Sequence, residues 1–277
     1  MLDPVETAIE QAVFYDTHCH LADPAFAGDL EAVLDRARAA GVRGMVVIAT
    51  DLTESRRCIE LAERHPDLYA VVGWHPNHAA EAPEDLRPAL RELATHPKVV
   101  ALGETGMDAF RLPADPTKRE PVLHIQERLF RQHLEVAAET GLGCVVHQRA
   151  IFDRTVAVYA EYAPQVRAVF HCFAEPVAAL ERLLALGARV SYTGMTTFRK
   201  NDGLRATVAA TPLDALMLET DAPYLAPEPF RGQRCEPAFV VETARTVAAV
   251  KGITLNELSR CTCATAERFF PRMRQKN

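Results

Sequence analysis

The sequence predicts a single-domain α/β protein folded as a TIM (β/α)8 barrel over residues 1–277. Short apolar, β-branched runs alternate with segments of helical periodicity, and no Pro/Gly/Ser-rich linker interrupts this order. The runs at 44–49 and 99–103 are apolar on both faces, which is typical of parallel strands covered by helices. Eight such units suggest the barrel, whose active sites lie at the carboxyl ends of the strands.

Eight strands and several helices can be placed along the chain. We expect strands at about 12–16, 44–49, 69–73, 99–103, 143–147, 167–171, 188–192 and 215–219. We expect helices that include residues 28–40, 55–65, 83–96, 125–140 and 176–186, and a last helix at about 255–274. A doubly wound open sheet is the competing topology. It lacks its usual nucleotide-binding signature, because no G-x-G-x-x-G follows the first strand and no P-loop occurs.

The first strand, the apolar run 13–15, continues into the segment DTHCHL at residues 16–21. Side chains alternate faces along a strand, so His18 and His20 point the same way and Cys19 points the other way. Two converging imidazoles can hold one divalent metal, although an isolated H-x-H can also be a chance pair at a solvated strand end. The ends of the other strands decide between these interpretations.

Metal-competent side chains also end several of the other strands. They are Glu104 after the fourth strand, His147 at the fifth, His171 at the sixth and Asp221 after the eighth. Each alone has an ordinary explanation, such as a helix cap, a turn or a core histidine. Together with His18 and His20 they put four histidines and two carboxylates at the same end of five strands. A purely structural role gives no reason for that convergence, so we interpret these six residues as metal ligands.

The mixture of imidazole nitrogen and carboxylate oxygen indicates a catalytic metal site. Such a donor set suits Mg, Mn, Zn, Ni or Co rather than a closed thiolate cage. Six ligands exceed what one four-coordinate metal uses, so we expect two divalent metal ions with Glu104 as the bridge. Glu104 and Asp221 are the predicted catalytic residues, with Asp221 taking a proton from a metal-activated water and passing it to the leaving alkoxide. Cys19 and Cys172 flank ligands but should face away, as packing residues.

Composition narrows the class of protein further. Seven scattered cysteines, an odd number, predict reduced thiols, and the C-x-C at 261–263 favours a buried helix pair over a zinc site. The net charge of −6 argues against a globally basic nucleic-acid coat but permits a local basic rim. Residues 1–13 lack the basic and apolar regions of a signal peptide, and no run is apolar enough to span a membrane. We therefore expect a cytoplasmic protein without membrane association, and we predict no protein partner.

Eight segments between residues 16 and 237 share the pattern of one family. They are DTHCHL at 16–21, GWHP at 73–76, GETGMD at 103–108, Gln126 with Phe130 and Gln132, HQRA at 147–150, HCF at 171–173, ETDAPYLAP at 219–227, and RGQR with EP at 231–237. In their order and number they resemble the TatD-type metal-dependent DNases of the amidohydrolase superfamily. The resemblance implies a TIM barrel, divalent metal bound by the six ligands above, and hydrolysis of DNA phosphodiesters, often as a 3′→5′ exonuclease. Glu104 stands where other members of the superfamily use a carboxylated lysine, which fits a bridging carboxylate.

The chain departs from that family pattern on the substrate rim. The family usually has Ser-Gly where this chain has Ala174 and Glu175, and Glu175 adds negative charge near a site expected to receive phosphate. Cys235 replaces the Asn of the usual Arg-Asn-Glu-Pro. Ala109 replaces an aromatic residue, with Phe110 one place later. These departures concern the substrate rather than the metal ligands.

Basic residues near the predicted mouth are candidate phosphate contacts. Arg149, beside a metal ligand, is the preferred one because a guanidinium fork suits phosphate oxygens, and Arg231 is a second. The wider set is Arg111, Lys118, Arg119, Arg199, Lys200 and Arg234. For Lys118 and Arg119 we favour the alternative of a solvated or ion-paired surface residue.

Aromatic residues near the same mouth are candidates for stacking on bases. They are Trp74, Phe110, Phe173 and Tyr224, with core packing as the alternative for Phe173 and Tyr224. His75 is a further candidate substrate contact, and His78 is a weaker one. For both histidines, orienting a ligand or capping a helix is the alternative.

Three functions of different classes remain open on the sequence alone. The first is a metal-dependent deoxyribonuclease that acts as a 3′→5′ exonuclease on single-stranded DNA or DNA ends. The second is a hydrolase of a small ester, amide or phosphate on the same barrel. The third is a non-catalytic binding partner that retains the fold. It is the weakest of the three because buried charges without metal would destabilise the barrel. A basic groove with exposed aromatics favours the first function, and a closed pocket favours the second.

Overall fold

Eight parallel strands form the barrel of this protein in a computed structural model that describes residues 12–274. The strands are β1 (Phe14–Cys19), β2 (Val42–Ile48), β3 (Leu68–Val72), β4 (Val99–Asp108), β5 (Gly143–Arg149), β6 (Ala168–Phe170), β7 (Arg189–Tyr192) and β8 (Leu216–Leu218). Each strand pairs with the next along the chain. Cys19 at the end of β1 pairs with Ala222 beyond β8, which brings the two edges together. The predicted TIM barrel is confirmed.

Helices alternate with the strands and cover the outside of the barrel. They are α1 (Leu30–Ala39), α2 (Leu52–Arg64), α3 (Arg87–Ala94), α4 (Pro116–Thr140), α5 (Phe152–Ala160), α6 (Val177–Ala185), α7 (Asp202–Ala210), α8 (Val240–Lys251) and α9 (Leu255–Phe269). Local capping fixes several of their ends. Asp51 accepts a hydrogen bond from Glu54 N at the start of α2, and Gly141, with φ of 70°, ends α4. Between residues 12 and 274, no helix has both the length and the apolar character needed to cross a bilayer.

Alternating side chains divide the apolar core into two layers. In β5, Cys144 and Val146 belong to the outer layer between strands and helices, whereas Val145 belongs to the barrel interior. In β2, Val47 faces outward and Val46 faces inward in the same way. The interior of the barrel is therefore a packed core rather than a pore.

The end of α9 closes the amino-terminal end of the barrel. Phe269, Phe270 and Met273 are buried within the interior cluster. Phe269 packs against Gly143, the first residue of β5, so closely that an added Cβ would lie 2.7 Å from its ring. The Tyr69 hydroxyl donates to Met273 O at 3.3 Å. The last helix thus completes the core instead of only covering the outside.

Some observed elements differ in extent from the predicted ones. β4 continues to Asp108 instead of ending near 103, because its later residues pair with β5 up to Arg149. α4 begins at Pro116 instead of near 125, with Asp115 as its cap and with Pro121 inside it. Pro116 occupies the start of the helix, where its missing N–H would have no helical partner, and Pro121 removes one backbone hydrogen bond in the second turn. Residues 1–13 were expected to lack the features of a signal peptide. Residues 1–11 of that segment lie outside the described residues.

Candidate metal centre and substrate cleft

The alternation of side chains along the strands carries polar groups to the mouth of the barrel. Val145 and Val169 fill the interior. His147 and His171 lie two residues later on the same faces, nearer the carboxyl ends of β5 and β6. The periodicity that builds the apolar core therefore also aims imidazoles into the mouth.

Backbone hydrogen bonds join the ends of β1 and β8. Asp221 N donates to His18 O at 2.9 Å, and His20 N donates to Ala222 O at 2.7 Å. Asp221 has φ of 61°, a left-handed conformation that Asp adopts more readily than most residues. This local backbone holds the Asp221 carboxylate beside His18 and His20.

A first donor cluster consists of His18, His20, Asp221 and one oxygen of Glu104. His18 Nε2 and His20 Nε2 lie 3.3 Å apart. Asp221 Oδ1 is 3.7 Å from His18 Nε2 and 3.4 Å from His20 Nε2. Glu104 Oε2 is 3.3 Å from His18 Nε2 and 3.7 Å from His20 Nε2. Donor atoms from β1, β4 and the end of β8 therefore converge in one small volume.

A second donor cluster surrounds the other oxygen of Glu104. Glu104 Oε1 is 2.8 Å from His147 Nδ1, 2.7 Å from His171 Nε2 and 3.2 Å from His75 Nε2. His147 Nδ1 is 3.1 Å from His171 Nε2 and 3.3 Å from His75 Nε2. His75 was predicted as a substrate contact, and its ring is also close enough to serve as a ligand.

The donor set fits divalent cations better than it fits a network of hydrogen bonds. Glu104 Oε2 is buried and accepts no hydrogen bond from the described residues. His18 Nε2 and His20 Nε2 face each other at 3.3 Å, where one proton at most can lie between them. Ligand atoms held about 2.0–2.1 Å from a tetrahedral Zn²⁺ lie about 3.3 Å apart, which matches these separations. The residues present are therefore suited to hold metal.

The electrostatics of the site keep its carboxylates ionised. Burial opposes the charge of Glu104, but the imidazoles of His171, His75 and His18 hold its pKa well below the usual range. Burial also opposes ionisation of Asp221, whose pKa is nevertheless lowered, chiefly by a hydrogen bond with His20. Carboxylates bind cations in the ionised form, so both residues are ready to act as ligands.

The imidazoles differ in their readiness to bind protons. Burial lowers the pKa of His75 to about 4, and burial also lowers the pKa of His18. Burial opposes the charge of His20 as well, but its hydrogen bond with Asp221 and the charge of Glu104 raise its pKa to about 9. An imidazole binds a metal in its neutral form, so binding of a cation would displace the proton of His20.

Asp108 orients His147, a role that the sequence analysis did not assign. Asp108 Oδ2 lies 3.1 Å from His147 Nε2, and Asp108 Oδ1 accepts from Phe110 N at 2.7 Å. Gln126 on α4 accepts from Asp108 N at 3.1 Å and so fixes this part of β4. With its proton on Nε2, His147 turns the Nδ1 lone pair toward Glu104. The spacing of 104 and 108 indicates a shared face only once the fourth strand is known to continue to Asp108.

Two further buried carboxylates hold the surrounding backbone. Glu219 Oε1 accepts from Cys172 N at 2.6 Å and lies 3.5 Å from His171 Nδ1. Asp16 accepts from Thr220 N at 2.9 Å and from Thr220 Oγ1 at 2.5 Å. For Glu219, a position two residues after an interior methionine of β8 was the sequence signal for an inward side chain.

A cleft of about 970 Å³ opens over the two donor clusters. Its charged and aromatic rim includes Asp23, Glu54, Arg111, Arg149, Glu175 and Tyr224. Within residues 12–274, the two large hydrophobic side chains that are well exposed are Phe110, at 58%, and Tyr224, at 55%. Phe110 stacks on the guanidinium of Arg149, which lies 3.7 Å from the centre of its ring. Tyr224 therefore lines the cleft, and Phe110 lies outside the lining but against Arg149, which belongs to it.

The structure brings only some of the predicted substrate contacts to the cleft. Arg149, His75, Phe173 and Tyr224 line it, although Phe173 is only 4% exposed. Trp74 packs against the core, and its indole nitrogen donates to His78 O at 2.8 Å. Arg231 is exposed, with its guanidinium 4.2 Å from the centre of the Phe198 ring. Trp74 and Arg231 lie outside the cleft lining formed by the described residues.

The wider set of basic residues divides in the same way. Arg111 lines the cleft. Arg234 is held by Asp29 in a two-point ion pair, at 2.8 and 2.7 Å. The others are Lys118 and Arg119 in the first turn of α4, and the exposed Arg199 and Lys200 before α7. Arg111 and Arg149 are thus the cations of this set that face the cleft.

The cysteines next to metal-site histidines are placed differently from each other. Cys19 is buried and donates to Val46 O at 3.4 Å, as expected of a packing residue. Cys172 lines the cleft, so the prediction that it faces away is wrong. It follows the last residue of β6 and has φ of 48°, so strand alternation does not govern its direction. The neighbouring departure, Glu175, also lines the cleft, with Oε1 3.2 Å from the side-chain amide group of Gln148.

Comparison with known proteins connects this geometry to one family. A family profile described as "TatD related DNase" matches residues 15–271. The chain is 33% identical over 261 residues to the "Uncharacterized metal-dependent hydrolase YabD" of Bacillus subtilis, covering 93% of this chain and 99% of that protein. It is 35% identical over 263 residues to the "3'-5' ssDNA/RNA exonuclease TatD" of Erwinia tasmaniensis, covering 92% and 99%.

A solved structure supports the same relationship. The crystal structure of YJJV, a TatD homologue from Escherichia coli K12, superposes with a TM-score of 0.85 at 30% identity. The superposition covers 93% of this chain and 98% of that chain. The similarity thus extends through the whole barrel, including every strand that contributes a donor atom to the two clusters.

Proposed function

The chain belongs to the TatD-related DNase family, and on that premise we propose that it is a 3′→5′ exonuclease of single-stranded DNA. Membership makes it a metal-dependent hydrolase that acts on ester bonds. The proposal adds two divalent ions, drawn from Mg, Mn, Zn, Ni and Co, and a single-stranded end as the substrate. The cytoplasmic location expected from the sequence stays a prediction.

The division of Glu104 between two donor clusters is the observation that carries this proposal. Its Oε2 faces His18 and His20, and its Oε1 faces His147 and His171. A carboxylate in that position is suited to bridge two ions about 3.5–4 Å apart, the spacing of sites that cleave phosphodiesters. The ligand set His18, His20, Glu104, His147, His171 and Asp221 therefore remains our proposal for the metal centre, with His75 as an additional donor.

The two carboxylates have different tasks in the proposed reaction. Divalent ions held by these residues would neutralise the charge of a phosphodiester and activate a water for attack. The side chain of Asp221 is 15% exposed and that of Glu104 is 3% exposed, so Asp221 is the one that a water in the cleft can reach. Asp221 takes the proton of the attacking water and returns it to the leaving alkoxide. Glu104 stays anionic among the imidazoles and holds the two halves of the site together.

The rim supports a nucleic-acid substrate. Phe110 and Tyr224 expose aromatic faces on which unpaired bases can stack, and Arg149 and Arg111 offer guanidinium groups to phosphates. The Erwinia relative named as an exonuclease of single-stranded DNA and RNA favours the same substrate class. Glu175 on the rim favours the second candidate, a small ester, amide or phosphate, because it opposes approach of a polyanion.

Digestion of end-labelled single-stranded DNA tests the proposal. Metal-stripped protein is resupplied with Mg²⁺, Mn²⁺ or Zn²⁺, and Glu104→Ala and Asp221→Asn are assayed beside it. We expect stepwise shortening from the 3′ end that requires metal and falls by at least about 10³-fold in both variants, since each loses a group essential to the site.

The control is Glu60→Gln, which removes an exposed carboxylate on α2 far along the chain from the donor set. It should digest DNA at the rate of the unaltered protein. If no metal restores cleavage, or if both site variants cleave as well as the control, the exonuclease proposal is wrong. Small esters, amides and phosphates then become the substrates to test.

A further inference from the structure

The rim of the cleft carries two carboxylates beside Tyr224 and two guanidinium groups beside Phe110, and a further carboxylate, Glu175, lies next to Gln148. Asp23 and Glu54 lie on the side of Tyr224, whereas Arg111 and Arg149 lie on the side of Phe110. Tyr224 therefore lies near carboxylates, whereas the ring of Phe110 stacks on the guanidinium of Arg149. A single-stranded polyanion cannot lie equally well in both directions across such a cleft.

The Tyr224 side is built close to the first donor cluster. The Tyr224 ring lies 6.1 Å from the ring of His20, and Tyr224 N donates to Asp221 O at 2.9 Å. Asp23 N donates to His20 O at 3.0 Å, so Asp23 adjoins the same histidine. A nucleoside stacked on Tyr224 would thus lie next to the cations held by that cluster.

The two acids on this side are fixed in place. Asp23 Oδ1 accepts from Ala25 N at 2.7 Å. Glu54 Oε2 accepts from Thr50 N at 2.7 Å and from Thr50 Oγ1 at 2.6 Å. Both carboxylates cap backbone groups, so they cannot swing away when a negative group approaches.

The Phe110 side is adjacent to the second donor cluster. Arg149 ends β5, two residues after His147, and its guanidinium lies 3.7 Å from the centre of the Phe110 ring. Phe110 N donates to Asp108, which orients His147. A base stacked here would have its phosphate next to Arg149, with Arg111 beyond it on the same rim.

We propose that the 3′-terminal nucleoside lies against Tyr224 and that the rest of the strand leaves over Arg149 and Arg111. Asp23 and Glu54 then act as a filter that admits a free 3′-hydroxyl and rejects a 3′-phosphate. The terminal nucleoside has no phosphate beyond the scissile one, so its side of the cleft needs no cations. The strand beyond the scissile bond carries a phosphate at every nucleotide and needs the basic side. This inference rests on the proposed exonuclease function.

The filter follows from charge rather than from size. A 3′-phosphate would add up to two negative charges beside two fixed carboxylates, and like charges at close range discriminate strongly between ligands. A hydroxyl, in contrast, can donate a hydrogen bond to a carboxylate. A neutral 3′-O-methyl group occupies space without adding charge, so it distinguishes rejection by charge from rejection by size.

The test compares single-stranded oligonucleotides that carry a 5′ dye and end in a 3′-hydroxyl, a 3′-O-methyl or a 3′-phosphate. In Mg²⁺ or Mn²⁺, we expect the terminal nucleotide that bears a 3′-phosphate to be removed at least about tenfold more slowly than one that bears a 3′-hydroxyl. The nucleotide that bears a 3′-O-methyl group should be removed at a rate within about threefold of the rate for the 3′-hydroxyl end. Asp23→Asn and Glu54→Gln keep the capping oxygens and remove one charge each. Each should lower the tenfold preference by about threefold.

The matched control is Glu181→Gln, which removes a charge from the exposed face of α6 and should leave the preference unchanged. The inference is overturned if the unaltered protein cleaves 3′-phosphate and 3′-hydroxyl ends equally. It is also overturned if the preference persists undiminished in both Asp23→Asn and Glu54→Gln. Failure of the exonuclease proposal itself looks different, because the 3′-hydroxyl oligonucleotide then stays intact with every metal.

Discussion

At the residue scale, one carboxylate governs which nitrogen of His147 carries a proton. Asp108 Oδ2 accepts from His147 Nε2 and so leaves Nδ1 free for the metal centre. In Asp108→Asn, an amide nitrogen in place of Oδ2 would donate to His147 Nε2 and move the ring proton to Nδ1. We expect about 10–100-fold weaker metal binding, with little change in the fold. Titration of metal-stripped protein with Mn²⁺ or Zn²⁺ in a calorimeter measures it.

The control for this substitution is Asp115→Asn at the start of α4. Asp115 Oδ1 accepts from Thr117 N, and asparagine keeps that oxygen, so the helix cap survives. Metal affinity should match that of the unaltered protein. Equal affinities in Asp108→Asn and Asp115→Asn would contradict the role assigned to Asp108.

At the element scale, the fit between β4 and β5 depends on a glycine. Gly106 has φ of 133°, and a Cβ there would lie 2.1 Å from His147 O. Gly106→Ala should therefore lower the free energy of unfolding by about 3 kcal/mol or more, because it combines backbone strain with a backbone clash. It should also displace His147 and weaken metal binding. Thermal or urea unfolding with parallel metal titration measures both effects.

Gly203 provides the matched control for a glycine substitution. It lies in α7, and a Cβ there would meet nothing within 4 Å. Gly203→Ala should raise the free energy of unfolding by about 0.5–1 kcal/mol, as alanine does in helices. If Gly106→Ala unfolded like Gly203→Ala, the close approach of β4 and β5 would not be a constraint on the site.

Periodicity in the sequence was sufficient to predict the barrel but not the lengths of its elements. The eight predicted strands all exist, since an apolar run covered on both faces has few alternatives to a buried parallel strand. β4 is five residues longer than its apolar run because its last part gains hydrogen bonds from β5, and such pairing is not visible in the local sequence. α4 was predicted too short for a related reason. Its first turns are held by contacts such as Arg154 with Glu120, at 2.8 Å, between helices that only the fold brings together.

The convergence of the candidate ligands was predictable from the sequence, and their surroundings were less so. The two-residue spacing of His18 and His20 and the shared strand end were enough to predict convergence. Asp108 was missed because its partner His147 is distant in sequence and their contact depends on the extra length of β4. Phe110 was named as a stacking candidate, but its exposure depends on the loop beyond β4, which local periodicity does not describe.

At the scale of the whole molecule, the two ends of the barrel have separate tasks. Phe270 is fully buried in the closure formed by the end of α9, and Phe110 is exposed at the opposite mouth. Phe270→Ala should cost about 3–5 kcal/mol in unfolding free energy and leave DNA affinity intact in the folded fraction. Phe110→Ala should change stability by less than about 0.5 kcal/mol but weaken binding by about 1–3 kcal/mol.

Chemical unfolding and fluorescence anisotropy with single-stranded DNA measure these two effects on the same preparations. Each variant is the control for the other, because both remove one phenyl ring. Loss of stability in both, or loss of binding in both, would contradict the separation of core and cleft along the barrel axis.

The proposed bridge at Glu104 is tested most directly by electron paramagnetic resonance of Mn²⁺ titrated into metal-stripped protein. We expect two ions per chain and the spectrum of an exchange-coupled pair, because one carboxylate would link ions about 3.5–4 Å apart. In Glu104→Ala the coupling should disappear. A single bound ion, or two ions with the spectra of isolated Mn²⁺, would contradict the two-metal centre on which the proposed exonuclease depends.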